Sequence, residues 1–200
     1  MTRYLVCITG ASGAIYPLRL ISALTARGVH VHLISSSWGS RVVLEETGRV
    51  LGYWLGRIRA TGGPKGGPAI VNFHPNDDFS SPLASGSFRM DGTIIVPCSV
   101  GTMGSLASGA CSNLIHRAGA VALKEGWPLI VVPRETPLSL VTIRSMEVLK
   151  EAGAIIMPAC PSFYSKPQTV EDVADSIVHR ILDHLGILVP GAARWDENRL

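Results

Sequence analysis

Charge is scarce in this 200-residue chain, at 16% of residues, and aromatics are scarcer, at 6%. The Lys and Arg side chains behind its net charge of +3 are dispersed, with no basic run and no interleaved aromatics, so a nucleic-acid partner is not expected. No apolar run approaches the length of a bilayer span, and the first strand begins within a few residues of Met1, which leaves no room for a signal peptide. Cys7, Cys98, Cys111 and Cys160 form no CxxC pair, and Cys7 lies inside an apolar strand as a reduced thiol would. These features predict a cytoplasmic protein with no membrane association. The six histidines show no zinc-like pairing, so no metal is expected. A GxxxxGK[ST] phosphate loop is also missing, which disfavours ATP hydrolysis.

What remains is a chain that is 46% hydrophobic with 21 glycines, enough to bury one substantial core, and residues 1–200 read as a single domain. A mean hydropathy of +0.29 is high for a lone domain and points to surface hidden in contacts between copies of the chain. Apolar strands are predicted at 4–9, 29–35, 69–74, 93–98, 128–133 and 154–159, and helices at 15–24, 38–47, 50–59, 112–125, 139–152 and 169–185. The Gly- and Pro-rich stretch 61–68 reads as a surface loop, and 80–88 as a second loop whose Ala84-Ser85-Gly86-Ser87 offers hydroxyls and close backbone approach. Alternation of this kind predicts an α/β fold: a Rossmann-like (flavodoxin-like), three-layer, doubly wound and mostly parallel sheet, with ligands beyond the carboxyl ends of its strands.

The most informative stretch is Pro97-Cys98-Ser99-Val100-Gly101-Thr102, where an apolar strand ends in small polar residues able to open a helix and present free N–H groups to an anion. Arg117 and Lys124 follow, and a second strand delivers Pro133-Arg134-Glu135-Thr136-Pro137. A cation beside a carboxylate suits a site that binds phosphate and handles a proton. The first loop, Gly10-Ala11-Ser12-Gly13-Ala14, resembles a phosphate-binding turn but lacks full GxGxxG spacing. Ser35-Ser36-Ser37 stands where a dinucleotide site would place an acid for the ribose, so a monophosphate fits better.

These segments, together with Glu46-Thr47, the run from Arg117 to Glu125, and Phe163-Tyr164 followed by Pro167-Gln168, resemble the UbiX-type flavin prenyltransferases over nearly the whole chain. The resemblance implies a homo-oligomer, a dodecamer in that family, that binds reduced FMN and joins to its N5 and C6 a dimethylallyl group taken from dimethylallyl phosphate. The product would serve a UbiD-type decarboxylase. By the same resemblance Gly10, Ala11, Ser12, Ser36, Ser99, Val100, Gly101, Thr102 and Arg134 bind the flavin. Ser85, Arg117, Lys124, Tyr164, Arg180 and Trp195 receive the prenyl phosphate, in a site shared between protomers.

Cleaving an allylic carbon–oxygen bond leaves negative charge on the phosphate and positive charge on a delocalised five-carbon fragment. Lys124, Arg134 and Arg180 are candidates for the first and the rings of Tyr164 and Trp195 for the second. Ring closure at C6 releases a proton, with Glu46 and Glu135 as candidate acceptors and Ser12 as a relay. The chain departs from the family pattern at Pro17, where Gly is commoner, and at Ser37-Trp38, where a Lys-Ala pair is commoner and a positive charge near the flavin is therefore missing. Two other readings stand beside this one: a non-catalytic FMN carrier or accessory subunit of an aromatic acid decarboxylase, and an FMN-dependent cysteine decarboxylase. The latter would need an active-site His and a Pro-x-Met-Asn-like segment, where this chain has Met157-Pro158-Ala159-Cys160.

Overall fold

The computed structural model describes residues 2–192. Strands β1 (Arg3–Ile8), β2 (His30–Ser35), β3 (Val71–Pro75), β4 (Gly92–Cys98), β5 (Leu129–Pro133) and β6 (Ile155–Ile156) form one sheet. Its order is β3-β2-β1-β4-β5-β6 and all its pairings are parallel. The helices are α1 (Ile15–Thr25), α2 (Ser37–Thr47), α3 (Leu51–Thr61), α4 (Val100–Ala107), α5 (Leu114–Glu125), α6 (Leu140–Glu151) and α7 (Val170–His184).

The central strands are apolar without interruption because both of their faces are covered. Val6, Ile8, Ile94 and Val96 point into one core with Leu20, Ile21 and Leu24 of α1 and Ile177, Val178 and Ile181 of α7. Leu5, Cys7 and Ile95 point the other way, into a second core with Met103 of α4, Ile115 of α5 and Leu149 of α6, which Cys98 joins past the irregularity in β4 between Ile95 and Cys98. Strand alternation thus divides one apolar run between two layers of helices, as a doubly wound sheet requires.

The departures from the predicted elements have local causes. The segment predicted as a strand at 154–159 is assigned as strand only at Ile155–Ile156. Backbone pairing nevertheless continues, from Met157 N–H to Val131 O and from Ala159 N–H to Pro133 O, across Pro158, which has no N–H to donate. Helix α4 was foreseen only as a helix opening, since Gly101 and Gly104 weaken its pattern. The 61–68 loop contains a 3-10 turn at Pro64–Gly66, and the second loop one at Pro82–Ala84. Among the described residues, no helix is long and apolar enough to cross a membrane.

Candidate functional site

Because β1 is flanked by β2 on one side and β4 on the other, the chain winds outward in opposite directions from this pair, and a crevice opens beyond their carboxyl ends. The two ends are pinned together by Thr9, whose hydroxyl donates to Pro97 O at 2.7 Å and accepts from Ser99 N–H at 2.7 Å.

Around this crevice the flavin-assigned residues converge. In the Gly10–Gly13 loop a Cβ on Gly13, whose φ is +120°, would lie 2.8 Å from the Tyr16 ring, and one on Gly10 would lie 2.7 Å from the Trp38 Cβ. The loop is therefore as narrow as these two aromatic neighbours permit, and Ser12 remains exposed at its crest. Ser36 caps α2, accepting from Gly39 N–H at 2.9 Å. Ser99 caps α4, accepting from Thr102 N–H at 3.4 Å and donating to the Thr102 hydroxyl at 3.1 Å. From the end of β5, Arg134 Nε donates to Ser12 O at 3.0 Å, closing the crevice from the far side. Two capped helix starts, a tight glycine loop and a guanidinium form a cradle that matches the phosphate and polar edges of a mononucleotide.

Glu46 makes contacts beyond its expected use as a proton acceptor. From the last turn of α2 its carboxylate accepts from Gly13 N–H at 3.0 Å on both oxygens and from Ala14 N–H at 2.7 Å. Helix α1 has no side-chain cap of its own and no acid in its first turn, so Glu46 supplies both from another helix. Sequence spacing gave no signal for this cap, because its two ends are 33 residues apart. Glu135 is exposed, and one of its carboxylate oxygens accepts from Thr136 N–H at 3.0 Å.

A separate cavity of about 820 Å³ is lined in part by Cys160, Tyr164, Lys166, Asp172, Arg180 and Asp183; Cys160 follows Ala159, whose N–H donates to Pro133 O immediately before Arg134. Tyr16, in the first turn of α1 beside Gly13, is a half-buried phenol pushed up in pKa first by burial, drawn down by Arg134, and raised again by Cys160 and Glu46. Arg180 lies 3.5 Å from Asp183 and stays largely in solvent. Neither Tyr16 nor Cys160 is assigned a site role from the sequence. The signal for Tyr16 was its place three residues after Gly13, where the absent side chain makes room for a ring.

Ser85, Arg117 and Lys124 form a separate group. Arg117 Nε donates to Ala84 O at 2.9 Å, the Ser85 hydroxyl meets that of Ser87 at 2.9 Å, and Lys124 pairs with Glu125, against which Gly86 packs. Helix α5 starts beside Asn76, just past the end of β3, and runs back towards the start of β5. Its length carries Lys124 about 15 Å from the helix start, to the edge where the strands begin. Arg134 sits at the opposite edge, so one chain does not bring these two cations together. Trp195 lies outside the described residues.

Fold and crevice define a doubly wound, mononucleotide-binding α/β protein. The sequence profile of the Flavoprotein family matches residues 1–182. Flavin prenyltransferase UbiX of Pseudomonas aeruginosa is 42% identical over 200 residues, covering 99% of this chain and 96% of that protein. The UbiX of Halalkalibacterium halodurans is 40% identical, covering 98% and 94%. Among solved structures, AnUbiX (PadA1) in complex with FMN and dimethylallyl pyrophosphate superposes with a TM-score of 0.88 at 36% identity, covering 98% of this chain and 97% of that one. A dodecameric FMN-dependent UbiX-like decarboxylase from Escherichia coli O157:H7 gives 0.87 at 34%, covering 98% and 100%. An FMN-dependent cysteine decarboxylase, TvaF, is 15% identical with a TM-score of 0.59, a likeness of fold alone. The chain belongs to the flavoprotein family and, within it, to the UbiX flavin prenyltransferases.

Proposed function

We propose that this chain transfers a dimethylallyl group from dimethylallyl phosphate to N5 and C6 of reduced FMN, making the prenylated flavin used by a UbiD-type decarboxylase. The observation that carries this reading is the convergence of Gly10–Gly13, Ser36, Ser99 and Arg134 on one crevice at the strand ends. Reduced flavin, when bound, supplies the nucleophilic atoms. The chain's own part is to place and polarise the donor. Ala11, Ser12, Val100, Gly101 and Thr102 hold the flavin with their backbone and hydroxyl groups. Arg180 binds the leaving phosphate, each preorganised cation being worth about 3 kcal/mol of barrier. Tyr164 offers its ring to the allylic fragment, with Trp195 as a second face.

Lys124, with Arg117 and Ser85 beside it, completes the phosphate site from a second copy, which the position of Lys124 at the opposite edge of the sheet supports. Glu135 accepts the proton released at C6, since Glu46 is engaged on the α1 amides. Residues 1–200 act as one flavin-binding domain, and the enzyme works in the cytoplasm, where Cys7, Cys98, Cys111 and Cys160 remain thiols, as they are here.

The test is anaerobic incubation of the protein with reduced FMN and dimethylallyl phosphate, followed by mass spectrometry of the extracted flavin. A gain of one five-carbon unit is expected. Tight FMN binding with unchanged flavin would establish the carrier instead, and carbon dioxide released from a cysteine-containing peptide would establish the decarboxylase.

A further inference from the structure

We propose that Trp38 is a flavin-positioning residue of this chain, its indole forming one wall of the crevice against the bound FMN. Trp38 is the second residue of α2, two after the Ser36 cap, and packs on Gly10 so closely that any side chain there would strike its Cβ. The first turn of α2 is itself pressed onto the end of β1, where Gly39 lies against the Ile8 carbonyl, so the root of the indole is held at the lip of the crevice. The rest of the side chain is in solvent, at 72% exposure. Its indole N–H has no hydrogen-bond partner among the described residues, unlike that of Trp54, which donates to the Thr47 hydroxyl at 2.9 Å. A large apolar ring left in water beside a site for a planar heteroaromatic gains by covering that ligand, and its N–H remains free for a ligand oxygen.

This rests on the flavin reading above, and the experiment separates the two. FMN is titrated by calorimetry into the wild-type protein, Trp38→Ala and Trp38→Phe, with the emission of the bound flavin and the size of the assembly recorded alongside. Trp38→Ala is expected to raise the Kd for FMN about tenfold and to brighten the bound flavin, while Trp38→Phe stays within about threefold of wild type. An Ala variant that binds FMN as the wild type does overturns the proposal. So does a loss of affinity accompanied by a smaller assembly, which would place Trp38 in a contact between copies. If the wild-type protein takes up no FMN, the flavin reading itself fails, and the role of Trp38 falls with it.

Discussion

At the scale of single residues, Glu46 makes contacts that its chemical type alone does not announce. Glu46 reads as a base because it is a carboxylate in a matching motif, yet its two oxygens take up amides of Gly13 and Ala14 and so fix the loop on which Ser12 rides. Such charge-assisted bonds at a helix start are worth about 1 to 2 kcal/mol. Glu46→Ala is therefore expected to lower the melting temperature by about 2 to 8 °C, in line with a loss of that size in a chain of this length, and to weaken FMN binding together with it. A scanning-calorimetry trace unchanged from wild type, with only the rate of prenylation reduced, would return Glu46 to the role of proton acceptor. Arg134 and Ser99, by contrast, were legible from sequence, since each stands where an apolar strand gives way to polar residues and strand ends are where a doubly wound sheet puts its ligands.

At the scale of elements, period and punctuation located most strands and helices, because buried parallel strands are uninterrupted apolar runs and serines stand at the helix starts after β2 and β4. What the sequence concealed was lateral packing, and β2 and β3 supply the clearest case. His30 and His32 alternate in β2 as an ordinary strand would have them, but their rings stack at 4.4 Å, and His32 Nδ1 meets His74 Nε2 of β3 at 2.9 Å. His74 Nδ1 in turn meets the Ser81 hydroxyl at 3.0 Å, and the Nε2 atoms of His30 and His32 are buried without a partner.

Burial first, then the neighbouring His30, His74 and Arg3, lower the His32 pKa to about 4; burial also lowers His30 and His74, although Asp78 opposes the shift at His74. A histidine whose pKa is lower folded than unfolded takes up its proton preferentially in the unfolded chain. Stability is therefore complete above the unfolded value, near 6.5, and is lost as the pH falls from there towards 4. By pH 5 the cost is of the order of 2 kcal/mol for His32 alone. Urea unfolding at pH 7 and pH 5 is expected to show this loss, and His32→Phe to flatten it. An acid limb equally steep in the variant would place the sensitivity elsewhere.

At the scale of the whole molecule, the apolar surface implied by the composition is found on α6 and its approach, where Leu138, Leu140, Val141, Ile143 and Val148 are all exposed in the single chain. Surface of this kind is what contacts between copies cover. The separation of the cations makes the same demand from the side of the chemistry, because α5 delivers Lys124 to one edge of the sheet while the crevice with Arg134 opens at the other.

Co-assembly of Arg134→Ala with Lys124→Ala, assayed anaerobically for prenylated flavin, tests this most directly. Each variant alone should be nearly inactive. An equal mixture should regain about a quarter of wild-type activity, because a crevice from one parent then meets an intact Lys124 from the other at random. A mixture no more active than its parents would contradict a site built between copies of this chain.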